Sequence, residues 1–427
     1  MMRYSLIDDL RAGQLTFPDF LAQAEARFQE REPDVLAFIP EEDRFARLQE
    51  DTETLVLSYP DLISRPVLFG ALTGVKDIFQ VEGFTTQAGS RLPHDLLQGK
   101  EARSVTQLKE VGALMLGKTV TTEFAYFSPG PTRNPHNPEH TPGGSSSGSA
   151  AAVAAGFCHV ALGTQTIGSI IRPAAFCGVV GFKPTYDRIS REGVIPLSPS
   201  LDHIGFFTSD VDTGKRVASV LVDDWKSESI ERKPTLGIPE GPYLESASDQ
   251  ALAWFNTICE SIVQAGYELR RVRVMDDFQE IRARHDVIMS AEASKVHANW
   301  FDKYADLYSV KFTELIRRGQ AVSDAQLQDA FAARDSFREQ ITKTMNDNNI
   351  DLWICPPSVG PAPKGLESTG DPVMCLPWTQ IGLPAINLPA GKSEAGLPMG
   401  LQLVANWDMD EALLHWATYF EQTVRDL

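Results

Sequence analysis

Two loops rich in glycine and serine carry the residues whose types and spacing could do chemistry. The first covers residues 141–149 (TPGGSSSGS) and the second residues 163–169 (GTQTIGS). Both set serine hydroxyls among small residues, so that backbone N–H groups can come close to a bound molecule. A serine hydroxyl is a poor nucleophile until a neighbouring base takes its proton. The loops therefore indicate nucleophilic catalysis, provided that the chain supplies a base.

The sequence favours a lysine over a histidine as that base. The chain has eight histidines, and no motif sets one beside a serine. A formal GxSxG around Ser146 follows a proline-rich loop, whereas a nucleophile elbow follows a strand. Lys76 follows an apolar stretch, and burial would lower its pKa and leave a neutral amine. Spacing alone also allows an ordinary surface lysine paired with Asp77.

Six segments occur in the order found in one enzyme family. They are GVKDIFQVEGFTTQAGS, GKTVTTEF, TPGGSSSGSAAAVAAG, GTQTIGSIIRPAAFCGVVGFKPT, SLDHIG and the pair GLPAINLPAG and GLPMGLQLV. Together they resemble the amidase signature family, which includes fatty-acid amide hydrolase, malonamidase and the A subunit of glutamyl-tRNA amidotransferase. The matching stretches, residues 66–211 and 351–420, cover about half of the chain. The second loop is most similar to the short malonamidase-like branch.

The resemblance implies a Ser–cisSer–Lys triad. Lys76 would be the base, Ser145 the bridging residue on a cis peptide bond, and Ser169 the nucleophile that accepts the acyl group. The separation of 24 residues between the two serines agrees with the family pattern.

The resemblance also implies groups around the reacting carbonyl. The oxyanion would lie against the backbone N–H groups of Ile167, Gly168 and Ser169 in the nucleophile loop, with Thr166 nearby. Ser146 and Thr122 are expected to offer hydroxyl groups near the substrate.

The nucleophile loop departs from the common family pattern. Ile167 stands where the family usually has glycine, and because a β-branched residue avoids positive φ, a reshaped loop or a narrower cleft is expected. Gln165 replaces a common aspartate, and Arg172 follows the nucleophile by three residues, not two. Arg172 could hold a substrate carboxylate or bind loop carbonyls, and both interpretations stay open. Asp202 and His203 are expected to belong to a structural turn.

The predicted activity is hydrolysis of a carboxylic amide to an acid and ammonia or an amine, through an acyl-enzyme and without metal or cofactor. A small polar or carboxylate-bearing amide is favoured. One alternative is a glutamyl-tRNA amidotransferase A-type subunit that delivers ammonia to a partner, since the same triad would serve. Another is a non-catalytic binding relative, for which Ile167 is the argument. A phosphate-binding loop is disfavoured because G-x-x-x-x-G-K-[ST] is missing.

An α/β fold must position these loops. Strand and helix patterns alternate, which predicts a single large domain over residues 1–427 with a twisted mixed β-sheet covered by helices on both faces. Apolar positions at helical spacing predict amphipathic helices within residues 1–60 that pack on the main body. Residues 223–350 are rich in charge and in helix patterns and are expected to form a helical lid or insertion.

Composition narrows the classes of partner. A formal net charge of −18 disfavours binding to nucleic acid or an anionic membrane. Five scattered cysteines without a CxxC pair fit a reducing cytoplasm. The start of the chain, MMRYSLIDDLRAG, has no secretory apolar stretch, and the longest apolar run is too short to span a bilayer. The expected partner is a small-molecule amide. A homodimer is compatible with the sequence.

Overall fold

The computed structural model describes residues 5–227 and 230–424. Its strands are β1 (Leu72–Lys76), β2 (Leu114–Thr119), β3 (Val160–Gln165), β4 (Val180–Lys183), β5 (His203–Thr208), β6 (Leu236–Glu240), β7 (Leu269–Arg273), β8 (Leu352–Cys355), β9 (Ala385–Lys392) and β10 (Pro398–Ala405). Its α-helices are α1 (Ser5–Arg11), α2 (Phe17–Val35), α3 (Arg44–Ser58), α4 (Arg103–Glu110), α5 (Ser147–Ala155), α6 (Ile171–Cys177), α7 (Val211–Leu221), α8 (Asp249–Gln264), α9 (Phe278–Val296), α10 (Ala298–Tyr304), α11 (Val310–Gln320), α12 (Asp324–Asp347), α13 (Leu376–Gln380) and α14 (Asp410–Val424).

The ten strands form one sheet in the order β2-β1-β3-β5-β4-β9-β10-β8-β6-β7. The strands β2, β1 and β3 run parallel at one end, and β8, β6 and β7 run parallel at the other. Antiparallel pairs join the two ends through the centre. The predicted α/β class with one large mixed sheet is confirmed.

The parallel end of the sheet explains where the chemistry-bearing loops meet. Every residue of β1, β2 and β3 is buried, as expected of parallel strands with both faces covered. Because the strands are parallel, their carboxyl ends lie at the same edge. Chain order reverses at β1, which has β2 on one side and β3 on the other. Ligands bind outside the carboxyl ends of strands at such a reversal.

Small residues bring α5 close to this part of the sheet. All nine residues of α5 are buried, and the helix packs against β1, β2 and β3. A Cβ atom at Gly148 would overlap the Ala37 carbonyl oxygen and the Val120 backbone, so glycine is needed at this close approach. The other face is covered by α7 and α14, which pack on β5 and β9. Helices therefore cover both faces, as predicted.

The two flanking regions differ in their relation to the sheet. Helices α1, α2 and α3 lie within residues 1–60, and the buried Arg44 of α3 donates to the Leu116 carbonyl of β2 at 2.9 Å. Residues 223–350 contain α8 to α12 but also β6 and β7, which extend the main sheet. A lid function for this region stays a prediction. No helix within residues 5–227 and 230–424 is long and apolar enough to cross a membrane.

Candidate active site

Lys76 ends β1 and is fully buried. Its Nζ donates to Ser145 Oγ at 2.8 Å and to Thr164 Oγ1 at 2.8 Å. Burial lowers the pKa of Lys76 well below its usual range, while the negative charge of Asp202 opposes this shift. Burial therefore favours the neutral amine, whose lone pair can accept the proton of the serine hydroxyl that lies 2.8 Å away, as a general base requires.

Asp77 has a different partner. Its Oδ1 lies 2.8 Å from Lys118 Nζ, in a salt bridge whose two side chains are 1% and 3% exposed. Its Oδ2 accepts from the Ala88 N–H at 3.1 Å. A surface Lys76 paired with Asp77 is therefore wrong. Asp77 instead holds the loop that follows β1.

The first serine loop is fixed by backbone contacts. The peptide bond between Gly144 and Ser145 is cis. The Ser145 carbonyl accepts from the Thr122 N–H at 3.2 Å. Ser146 Oγ donates to the Thr164 carbonyl at 3.2 Å and accepts from the Thr164 N–H at 3.3 Å, which ties the loop to β3. The Thr122 side chain is fully buried, and its hydroxyl has no hydrogen-bond partner among the described residues.

A small pocket brings most of the sequence-predicted site residues together. It is lined by Ser145 and Ser169 and by their neighbours Thr166, Ile167 and Arg172. Ser169 is 8% exposed. Ile167 does not adopt a positive φ, so its β-branched side chain causes no backbone strain of that kind, and a reshaped loop or a narrower cleft stays a prediction. The lining of this pocket does not include Ser146 or Thr122.

Gly168 fits a tight space behind the nucleophile loop. A Cβ atom at this position would lie 3.0 Å from Pro372 Cβ and 3.1 Å from Cys375 Cβ. These contacts are tighter than ordinary van der Waals packing, so a larger residue would push the loop forward. The glycine thus allows the nucleophile loop to pack closely against residues 372–375.

Gln165 organises the nucleophile loop through both ends of its amide. Its Oε1 accepts from the N–H groups of Ile170 and Ile171, at 2.8 and 3.0 Å. Its Nε2 donates to Thr379 Oγ1 at 2.9 Å, and that hydroxyl donates to the Ile167 carbonyl at 2.6 Å. A carboxylate could accept the two N–H bonds but could not donate to Thr379. The glutamine therefore connects the loop to α13.

Asp202 supports the same loop from the other side. Its Oδ1 accepts from Thr166 Oγ1 at 2.6 Å, and its Oδ2 accepts from the N–H groups of Leu197 and Ser198 at 2.8 and 2.9 Å. Burial raises the pKa of Asp202 to about 6. The residue does belong to a structured turn, as expected, but it also contacts the loop and influences the pKa of Lys76.

Arg172 lies in α6 and is 1% exposed. Its Nη2 donates to the Gly144 carbonyl at 2.6 Å and to Thr369 Oγ1 at 3.1 Å, and its Nη1 donates to the Gly370 carbonyl at 2.5 Å. Nε has no partner within the described parts of the chain. Burial lowers the pKa of Arg172 to about 10. Most of the N–H donors of Arg172 thus hydrogen-bond the first serine loop and residues 369–370 and connect the two segments.

A wider cleft adjoins the small pocket. The two share Tyr126, Phe127, Ile167 and Pro372, so a molecule could extend from Ser169 into the cleft. The far wall of the cleft comes from α9, which no motif indicated.

Sequence analysis missed three supporting contacts of the site. These are the Thr164 hydroxyl on Lys76, the Thr379 hydroxyl on Ile167 and the carboxylate of Asp202 on the nucleophile loop. Thr164 and Asp202 lie inside quoted motifs, so motif membership was an available signal. Thr379 lies outside them.

Comparison with known proteins identifies the family to which the chain belongs. A family model described as Amidase matches residues 58–414. The chain is 33% identical to the A subunit of glutamyl-tRNA(Gln) amidotransferase from Synechococcus sp. (strain RCC307), over 97% of this chain and 96% of that protein. A solved structure described as an amidase has a TM-score of 0.90 and 29% identity, and covers 99% of this chain and 100% of its own.

A second solved structure, of a protein complex that reveals the origins of an s-triazine catabolic enzyme, has a TM-score of 0.87 and 25% identity. The alignment covers 100% of this chain and 98% of that one. The chain therefore belongs to the amidase signature family. It is a hydrolase that acts on carbon–nitrogen bonds.

Proposed function

We propose that this protein hydrolyses carboxylic amides through an acyl-enzyme on Ser169, with Ser145 and Lys76 as the proton relay. The contact of 2.8 Å between Lys76 Nζ and Ser145 Oγ carries the proposal, because it joins a buried amine of lowered pKa to a serine hydroxyl. The pocket shared by Ser145 and Ser169 supports the second step of the relay.

In the acylation half-reaction, neutral Lys76 accepts the Ser145 proton while Ser145 accepts the Ser169 proton. Ser169 Oγ then forms a bond to the amide carbon, and the carbonyl oxygen becomes an oxyanion. When the tetrahedral intermediate collapses, the carbon–nitrogen bond breaks. The relay returns its proton to the leaving nitrogen, which departs as ammonia or an amine, and an ester to Ser169 remains.

In the deacylation half-reaction, water replaces the amine. The relay takes a proton from water, whose oxygen attacks the ester carbon, and then returns that proton to Ser169 as the acid leaves. Backbone N–H groups of Ile167, Gly168 and Ser169 would stabilise both oxyanions, and each donor of this kind contributes about 3 kcal/mol in the transition state. The bonds from Gln165 and Thr379 support this role because they fix the loop before substrate arrives.

The substrate we propose is a small amide that carries a polar group. The pocket at Ser169 is small and joins a cleft with both apolar and polar walls. For Arg172 we propose the structural role, since three of its hydrogen bonds go to loop atoms. A cytoplasmic location remains part of the proposal, and the five buried free cysteines support it.

A second candidate function is delivery of ammonia to a partner protein. The curated relatives favour it, since several are A subunits of glutamyl-tRNA(Gln) amidotransferases, with identities of 30–34%. The same hydrolytic step would serve, with the ammonia passed on rather than released. The two functions differ in whether the isolated chain hydrolyses amides at full rate.

The deciding experiment measures ammonia released by the purified chain from a panel of small amides, ureas and aryl amides. We expect turnover without added partner, and we expect Ser169→Ala to reduce it to background. Activity that persists in Ser169→Ala would overturn the mechanism. Turnover that appears only after addition of a cell extract would favour the ammonia-delivering function.

A further inference from the structure

His285 is a buried side chain that belongs neither to the proton relay nor to the contacts that support it. It lies in α9, is 1% exposed and lines the cleft that adjoins the Ser169 pocket. Neither of its ring nitrogens has a hydrogen-bond partner in the described parts of the chain. A buried polar group without a partner is destabilising, and a bound ligand that supplies the partner removes this penalty. The unpartnered imidazole in a cleft wall therefore suggests a ligand contact.

The face of α9 that carries His285 is turned to the cleft. Arg282, Asp286 and Met289 lie three, one and four residues away and line the same cleft. Residues three or four apart share one side of a helix. Arg282 is exposed, and Asp286 is paired with Arg318 at 3.1 Å. His285 is thus the buried polar group on this face.

The position of His285 is fixed relative to the nucleophile loop. Gln380 at the end of α13 donates its Nε2 to the Ile281 carbonyl of α9 at 2.8 Å. The preceding residue, Thr379, donates to the Ile167 carbonyl of the nucleophile loop. On its other side α9 packs on α11, where a Cβ atom at Gly319 would overlap the Ser290 carbonyl. The distance from His285 to the reacting atoms is therefore set by packed elements.

The protonation state of His285 defines what it can recognise. Burial lowers the pKa of His285 to about 4, and the nearby Thr166 carbonyl opposes the shift without making a hydrogen bond of normal geometry. The ring is therefore neutral at neutral pH, with one N–H donor and one lone pair. A carboxamide or hydroxyl group can donate to that lone pair. A carboxylate can accept from the N–H but leaves the lone pair without a donor and meets no positive charge on the neutral ring, and an alkyl group satisfies neither nitrogen.

We propose that His285 is a specificity-determining residue that hydrogen-bonds an uncharged polar group of the substrate, a second carboxamide or a hydroxyl, placed away from the scissile amide. This inference rests on the proposed amide hydrolysis. It narrows the substrate class from polar or carboxylate-bearing amides to neutral amides with a distal hydrogen-bond donor.

The test uses three isosteric amides. Glutaramide carries a distal carboxamide, glutaramate a distal carboxylate and 5-methylhexanamide a distal isopropyl group. The malonamide-to-adipamide series sets the best chain length before the comparison is made. We expect wild-type kcat/KM to favour the carboxamide over both isosteres by about tenfold or more, as loss of one buried partner implies.

Variants of His285 then assign the preference. His285→Leu should remove the preference for the carboxamide, mainly by raising KM for that substrate. His285→Gln should retain part of the preference, because glutamine can also donate and accept a hydrogen bond. His297→Leu is the matched control. Its imidazole is also buried with an unpartnered Nε2, but it does not line the cleft, so the preference should survive. If His285→Leu is insoluble, His285→Phe replaces it.

The outcomes separate the inference from the function on which it rests. An unchanged preference in His285→Leu would overturn the inference, as would a wild-type preference for glutaramate. A loss of the preference in His297→Leu equal to that in His285→Leu would assign it to core packing instead. No ammonia from any amide, together with no labelling of Ser169 by a fluorophosphonate probe, would overturn the proposed function and the inference with it.

Discussion

Replacing Thr164 with valine tests whether the second contact of Lys76 matters for catalysis. Valine has nearly the shape of threonine, suits a buried strand and lacks the hydroxyl. The change removes the partner that lies 2.8 Å from Lys76 Nζ and leaves the contact with Ser145 in place. The backbone bonds between Thr164 and Ser146 also remain.

The expected size follows from the burial of Lys76. Its amine is fully buried, so the lost partner is not replaced by bulk water. An unmet buried donor costs about 1–3 kcal/mol. If this free energy adds to the activation barrier of the chemical step, kcat falls roughly 5- to 150-fold, because each increase of about 1.4 kcal/mol in the barrier lowers the rate tenfold. KM should change little, since Thr164 does not line the small pocket at Ser169 or the cleft beside it.

The assay measures kcat and KM for ammonia release at a pH on the plateau of activity, with thermal unfolding as the check of fold. Thr73→Val is the matched control. Thr73 is a fully buried threonine on β1, and its hydroxyl donates to the Ala71 carbonyl at 3.3 Å, away from the site. The control should keep kcat within about twofold of wild type, as expected for a position outside the reacting groups. An unchanged kcat in a folded Thr164→Val protein would refute the reasoning, and so would an equal loss in both variants.

Three further predictions concern groups around the triad. Activity should rise as the pH passes through the lowered pKa of Lys76, because the neutral amine is the base. Asp202→Asn removes a negative charge that raises this pKa, so the acid limb of the kcat/KM profile should move to lower pH. A shift of that limb to higher pH would contradict this role of Asp202. Arg172→Met should lower kcat for all amides alike, whereas a rise in KM confined to carboxylate-bearing amides would assign it to substrate binding. Asp77→Asn should lower the free energy of unfolding in urea by about 3–5 kcal/mol, because Lys118 keeps its hydrogen bond to Thr86 but is left buried without an opposite charge, and a loss below about 1 kcal/mol would show that the pair is dispensable.

Short-range patterns predicted the fold class and nominated the residues of the candidate site. Alternating strand and helix patterns indicate a covered mixed sheet because local periodicity follows burial. Ser145 and Ser169 could be named because each lies in a short segment dense in small residues, and Lys76 because it follows an apolar stretch; the family resemblance assigned their roles. These are properties of neighbouring residues along the chain.

Contacts between distant segments could not be predicted in this way. Gln165 stood out as a departure, but its partner Thr379 lies 214 residues away along the chain. The contact between Asp202 and Thr166 depends on where two loops meet at the sheet edge. The φ of Ile167, which is not positive, is likewise set by its tertiary contacts as well as by its own preference. Residue type alone gives no such information.

The attachment of α9 to the nucleophile loop has an evolutionary consequence. The groups proposed for proton transfer and nucleophilic attack come from the ends of β1 and β3 and from the loop before α5. The cleft wall comes instead from α9, which is joined to the nucleophile loop through the neighbouring residues Thr379 and Gln380. Substitutions on the cleft-facing side of α9 can therefore alter substrate range while the reacting groups stay in place. Substrate specificity can therefore evolve by single substitutions on α9, and each intermediate enzyme can remain active.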